Sequence, residues 1–467
     1  MTEHLTALDA TFLELEQSDE TAHMHIGALL VFDPLPDGGA PSFEEGLRHL
    51  EQRIEVLPRY KQRLSEPHTG GLSWPSWEFD ERFDIRNHVH HAALPAPGGE
   101  RELLDWVSDY WSHRLDRLRP LWDAVLLEGL EGGAWAICTK THHCLVDGVG
   151  SLDIGYVLLD TSAEPDGSWV PHTARFIPEA EPGGLGRIPS LFVRGARSGL
   201  DVALHPKRIG EMFEHSKALA ELVARDEVIA APKSSVNRPI GTERRFAIVR
   251  ASLDDVKAVK NALGGTVNDV VLASVTGGLR RLLLERGEEP PAKGLRAMVP
   301  VNIRGTGGQL ALGNKITSLF VHLPVVEPEA AHRYELTRGE AESLKSGNQA
   351  VGGETLLDIT GVAPPVVHGM LARSLFASRL FNVTVTNVPG PQIPLYALGA
   401  KLREIHPLVP IAAEHALGIA VISYDGQLVF GVNADRDTVP DVAVLVEGIR
   451  ESLTELQQLA SAPVTSA

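Results

Sequence analysis

Residues 142–148 read His-His-Cys-Leu-Val-Asp-Gly, and this stretch names a chemistry. An apolar run, Ala134 to Cys138, precedes it and reads as a buried strand. Asp147-Gly148 closes it with a turn signal, and glycine permits a sharp turn. A histidine at a strand end puts an imidazole at the rim of a sheet. Imidazole is the usual general base near neutral pH. Neighbouring residues on a strand point to opposite faces, so only one of His142 and His143 addresses a given substrate. Asp147 has two readings: it orients a histidine, as in a triad, or it pins the loop through a charge pair. Adjacent histidines alone read as polar residues at a strand end. The Asp147-Gly148 pair behind them shifts the reading to catalysis.

Other chemistries fit less well. Histidine and aspartate are competent metal ligands, but no third partner stands at a usual spacing, so no metal site is expected. No G-x-S-x-G elbow is present, and Ser151 opens a helical stretch, so a serine nucleophile is not expected. Cys144 follows His143 directly, where the side chains diverge, and reads as a small buried residue.

The chain has 467 residues, 43% of them hydrophobic and 22% charged, which predicts a soluble globular protein of two domains. Its net charge of −18 makes it a poor candidate for general nucleic-acid binding. Two cysteines, Cys138 and Cys144, cannot build a disulfide framework, and they predict a reducing, cytoplasmic location. The first residues lack the basic and apolar regions of a signal peptide. No run of about 18 apolar residues exists, so any membrane work is done from the surface.

The elements that must position the histidines alternate between strands and helices, which predicts an α/β or α+β fold. Helices are predicted over 5–13, 42–54, 100–115, 150–159, 253–263, 268–286 and 440–459. Pro440 is expected in the first turn of the last of these. Strands are predicted over 25–32, 121–130, 296–301, 316–323, 382–386, 417–424 and 427–432. Asn268 is a plausible N-cap. The organisation is a first domain over 1–185, a helical linker over 186–245 with a loop at 231–245, and a second domain over 246–467.

The motif HHxxxDG is the signature of the CoA-dependent acyltransferase superfamily, which resembles chloramphenicol acetyltransferase in fold. Further motifs narrow the resemblance. These are Pro120-Leu121-Trp122, Asn268-Asp269, Val299 to Arg304 (VPVNIR), Leu312-Gly313-Asn314 and Asn387 to Pro391 (NVPGP). Leu8 to Phe12 and Met24 to Gly27 complete the set. Together they resemble the bacterial wax ester synthase/diacylglycerol acyltransferase family over residues 5–455. Each motif also has a plain reading: Leu121 and Trp122 as core, Asn387 to Pro391 as a rigid turn.

The resemblance implies two chloramphenicol-acetyltransferase-like domains, each a mixed sheet with helices, around an interdomain tunnel. It implies that His143 is the base and that His142 faces the core or holds the loop. It implies that Asp147 is structural and pairs with an arginine of the second domain, for which Arg304 is the best partner. Asn268, Asp269 and Asn387 are expected near the domain interface, and Thr386 and Asn387 are alternative oxyanion donors. The implied activity moves a long-chain acyl group from acyl-CoA to a fatty alcohol or to diacylglycerol, with no cofactor. The alternatives are a peptide-synthesis condensation domain and a non-catalytic lipid carrier. A peripheral contact with membrane or lipid droplets is expected through one or both of two stretches. Residues 187–208 hold five basic residues and one acid among apolar ones. Residues 370–381 carry Leu371, Leu375, Phe376, Leu380 and Phe381 with Arg373 and Arg379.

Overall fold

The computed structural model describes residues 3–5, 7–65, 74–145, 157–164, 230–302, 316–346 and 380–462. The first half runs β1 (Glu3–His4), α1 (Ala7–Ser18), β2 (His25–Phe32), α2 (Phe43–Ile54), β3 (Gln62–Leu64), β4 (Ser76–Phe79), β5 (Val89–Ala93), α3 (Glu100–Trp111), β6 (Trp122–Glu128) and β7 (Trp135–His142). The second half runs β8 (Arg244–Ser252), α4 (Leu253–Leu263), α5 (Val267–Glu285), β9 (Leu295–Asn302), β10 (Ile316–Leu323), α6 (Ala330–Ser346), β11 (Val383–Pro389), β12 (Tyr396–Ala397), β13 (Ala400–Leu408), β14 (Leu417–Tyr424), β15 (Gln427–Asp435) and α7 (Val442–Ser461).

Two six-stranded mixed sheets organise the molecule, ordered β12-β13-β2-β7-β6-β5 and β10-β9-β11-β14-β15-β8. Every residue of β7 is buried, as expected of a strand flanked on both edges and covered on both faces. The apolar run that predicts this strand is therefore its own explanation. In the second half, Val270, Leu279 and Leu282 of α5 and Leu445 and Ile449 of α7 pack in one core with Val383, Ile419 and Phe430 of the sheet.

The halves do not divide cleanly at residue 246. Strands β12 and β13 come from the C-terminal half but join the first sheet, β13 pairing with β2. Close approach makes this possible: a Cβ on Gly431 of β15 would lie 1.9 Å from the Pro407 carbonyl oxygen of β13. Strand β8 begins at Arg244, so the predicted loop ends two residues early. Its amides at Arg244 and Phe246 donate to the hydroxyls of Ser112 and Ser108 on and beside α3, at 2.7 and 2.9 Å. A sheet edge is thus satisfied by the other half of the chain.

Three local expectations are corrected. The N-cap of α5 is Thr266, whose hydroxyl accepts from the Asp269 amide while the Asp269 carboxylate accepts from the Thr266 amide at 2.7 Å. This capping box places Asn268 inside the first turn rather than at the cap. Helix α7 starts at Val442 behind Asp441, so Pro440 lies before the cap and not in the first turn. Phe381, expected on an interfacial face, is buried and stacks on His415 with ring centroids 3.9 Å apart. The rest of that stretch up to Arg379, all of 187–208, and the expected linker from 186 to 229 lie outside the described residues, as does most of the helix predicted over 150–159.

Candidate active site

Strand β7 delivers His142 as its last residue, and the chain then turns through a short 3-10 helix, His143–Leu145. Backbone bonds fix the two histidines from both neighbouring strands. The His142 amide donates to the Leu121 carbonyl at 2.9 Å, and the His143 amide donates to the Met24 carbonyl at 2.8 Å. Two of the sequence motifs, Pro120 to Trp122 and Met24 to Gly27, thereby act as the walls of the turn. Gly27 must stay small, because a Cβ there would lie 1.9 Å from the Thr139 carbonyl oxygen of β7.

The histidines occupy different surroundings. His142 is buried, and its Nδ1 accepts from the Cys144 amide at 3.1 Å. A ring nitrogen that accepts carries no proton, so the proton of a neutral His142 sits on Nε2. That nitrogen lies 3.2 Å from Oε2 of Glu16, off the ideal hydrogen-bond line. His143 keeps part of its surface open and stacks on Phe12, ring centroids 3.8 Å apart. Burial pushes its pKa down to about 4, with His142 adding a smaller push. His143 is therefore a neutral imidazole at neutral pH, with a ring nitrogen free of a proton.

Glu16 anchors the cluster and is the residue that the sequence reading misses. It is buried on α1, and its carboxylate faces Nε2 of His25 at 3.5 Å and Nη2 of Arg114 at 3.3 Å, as well as His142. The Met24 amide donates to its Oε2 at 3.1 Å. Burial raises its pKa, but the contacts with His142 and His25 and the Met24 amide outweigh that and hold it well below the carboxylate range. Cys144 and Cys138 are buried thiols; burial pushes Cys138 up to about 12 and Cys144 well above its ordinary value. Neither is a thiolate nucleophile near neutral pH.

Leu121 and Trp122 are core residues. The Trp122 indole donates to the Tyr60 carbonyl at 2.7 Å and stacks on His88, centroids 4.7 Å apart. Pro120 is buried beside them. In the second half, the Asn387 side-chain amide on β11 reaches Asn268 on α5 at 3.5 Å. Two motifs far apart in sequence thus meet. Thr386 precedes Asn387 on β11, opposite Ala420 of β14. Asp269 is spent on the capping box, though its Oδ1 has no hydrogen-bond partner among the described residues. A cleft of about 910 Å³, lined by Lys233, Arg286, Glu288 and Asp437 among others, includes none of the predicted site residues. Asp147, Gly148 and Arg304 lie outside the described residues.

The description "Wax ester synthase/diacylglycerol acyltransferase catalytic domain" matches residues 5–271, and "WS/DGAT C-terminal domain" matches residues 312–457. The chain belongs to the wax ester synthase/diacylglycerol acyltransferase family. This wax ester synthase/diacylglycerol acyltransferase homologue is 34% identical over 457 residues to a Mycobacterium tuberculosis H37Rv protein named as a probable diacylglycerol O-acyltransferase, covering 97% of this chain and 95% of the relative. It is 30% identical over 459 residues to O-acyltransferase WSD of Acinetobacter baylyi, covering 96% of each. A solved wax ester synthase/diacylglycerol acyltransferase from Marinobacter aquaeolei VT8 superposes with a TM-score of 0.70 at 29% identity, covering 98% of this chain and all of that one. A starter condensation domain of rhizomide synthetase superposes with a TM-score of 0.58 at 15% identity, which shows a shared fold and no more. The two mixed sheets with their helices are the fold of this family, and the wax ester synthase/diacylglycerol acyltransferase homologue is an O-acyltransferase.

Proposed function

We propose that the chain moves a long-chain acyl group from acyl-CoA to the hydroxyl of a fatty alcohol or a diacylglycerol, with His143 as general base. The observation that carries this is the contrast between the two histidines. His142 is locked by Glu16 and the Cys144 amide, and His143 is neutral and partly open. His143 takes the hydroxyl proton as the acceptor oxygen attacks the thioester carbonyl. The tetrahedral intermediate collapses, the C–S bond breaks, and the CoA sulfur takes the proton back from the imidazolium. A thioester is already activated, so the reaction calls for no metal and no acyl-enzyme. Thr386 and Asn387 are the proposed donors to the developing oxyanion, and Asp147 with Arg304 the proposed pair that pins the loop. We place the meeting of the two substrates at an interdomain tunnel, as the resemblance implies, with acyl-CoA and acceptor entering from opposite sides.

The pH profile tests the base. A histidine with an ordinary pKa loses base function below about 6.5. With His143 lowered to about 4, kcat/KM for a short soluble alcohol is expected to stay level from pH 8 to 5 and to fall near pH 4. An acid limb at about 6.5 would mean that the base titrates as an ordinary histidine and is not lowered by burial.

No helix among the described residues is long and apolar enough to cross a membrane. The acceptors are water-insoluble, so we place the enzyme in the cytoplasm, docked peripherally on membrane or lipid-droplet surfaces through the basic, apolar stretch 187–208. Charge reversal at Arg194, Arg197 and Arg208 is expected to weaken flotation with anionic liposomes and to leave transfer to a short alcohol intact. A triple variant that floats like the parent protein removes this stretch as the contact.

A further inference from the structure

We infer that Glu16 is the positioning residue for His143, acting through His142 on one side and Met24 on the other. The inference rests on the acyl-transfer reading and deepens it. Three observations join.

First, one carboxylate oxygen reaches both arms that hold the base. Oε2 of Glu16 lies 3.2 Å from His142 Nε2 and accepts from the Met24 amide at 3.1 Å. His142 then receives the Cys144 amide on its other ring nitrogen, and the Met24 carbonyl receives the His143 amide. The residues on either side of His143, and its own backbone, are therefore tied to a single acid. Second, the same helix face supplies the packing. Phe12 and Glu16 stand four residues apart on α1, neighbours on one side of a helix, and Phe12 stacks on the His143 ring. One rigid element thus sets both the backbone and the ring plane of the base. Third, the acid is itself compensated. Arg114 reaches Oε1 at 3.3 Å and donates to the Glu16 carbonyl at 2.7 Å. An uncompensated buried carboxylate would be costly; this one has a cation and three further partners.

The arrangement also fixes a proton. The Cys144 amide requires an unprotonated Nδ1 on His142, and the Glu16 carboxylate favours the proton on Nε2. His142 is thus held in one tautomer and does not compete with His143 as a base. Glu16 touches no substrate in this scheme, so its removal is expected to change kcat and not KM.

The test uses the full chain. Glu16→Ala is expected to lower kcat about ten- to a hundredfold, the cost of a misplaced base, with KM for acyl-CoA and acceptor unchanged. Glu16→Gln keeps an oxygen where Oε2 stands and is expected to recover turnover toward the parent value. Nitrogen-15 spectra of histidine-labelled parent protein are expected to show His142 as the Nε2–H tautomer, and Glu16→Ala to lose that single state. The parent spectrum needs no substrate and no variant. It therefore stands even if Glu16→Ala does not fold, and it separates this inference from the acyl-transfer reading, which fails if the parent makes no ester. A parent His142 protonated on Nδ1 would overturn the inference. So would a folded Glu16→Ala variant with parental kcat, or one whose loss lies in KM.

Discussion

His143→Ala is expected to lower turnover by about 10²–10⁴ while leaving the protein folded. The reason is where the side chain lies. It opens the turn after β7, keeps some exposure and has Phe12 as its stacking partner, so its loss removes no buried side-chain hydrogen bond of a core element. His142→Ala is expected to do the reverse. It leaves the Cys144 amide without its acceptor and the buried Glu16 carboxylate without one of its partners. An unsatisfied buried group costs about 1–3 kcal/mol, so this variant should melt earlier and lose less turnover in its folded fraction. Thermal melts and initial rates on the two variants separate the roles. Parental activity in His143→Ala would remove the base assignment.

Trp122→Ala is expected to destabilise the protein by about 3–5 kcal/mol, the usual cost of removing a buried aromatic. Trp122 is 1% exposed, its indole donates to Tyr60, and its ring stacks on His88. Against a domain stability of about 5–15 kcal/mol this is a severe loss. The effect on catalysis follows indirectly, because Leu121 next to it accepts from the His142 amide. Trp122→Phe keeps the stack and loses the indole donor, and is expected to cost less. Denaturant melts give the comparison; a Trp122→Ala variant as stable as the parent would mean that the side chain is not core.

What the sequence makes legible follows the range of the forces involved. Strands β2, β10 and β14 announce themselves by local apolar runs, and their predicted bounds match. The motif turn is equally local. Strand β8 is hidden because arginines at 244 and 245 prolong the loop reading, although Arg244 donates to the Thr21 carbonyl and Arg250 to the Glu100 carboxylate, both in the first half of the chain. Strand β13 contains Pro407, which argues against a strand, and it carries a register shift between Leu402 and Glu404. Even with the strand in hand, nothing local says that it pairs with β2, more than 360 residues earlier.

The site divides in the same way. The histidines are visible as a pair, and the resemblance supplies which is which. Glu16 lies past the helix predicted over 5–13, in a run of alternating leucine and glutamate that carries no chemical signal of its own. Its partners stand at positions 24, 25, 114 and 142, and only the folded chain brings them to one carboxylate. The contact between Asn268 and Asn387 is of the same kind. Both motifs are legible, and their meeting is a property of α5 crossing the end of β11.

The most direct measurement of the central claim is a single-turnover reaction of the purified chain with radiolabelled long-chain acyl-CoA, with and without a fatty alcohol or a diacylglycerol, followed by product separation and an intact-protein mass spectrum. Direct transfer predicts labelled ester and free CoA thiol in equal amounts, appearing only when acceptor is present, with the protein mass unchanged throughout. A protein that gains the acyl mass before acceptor is added, or that forms no ester with either acceptor, would contradict the account.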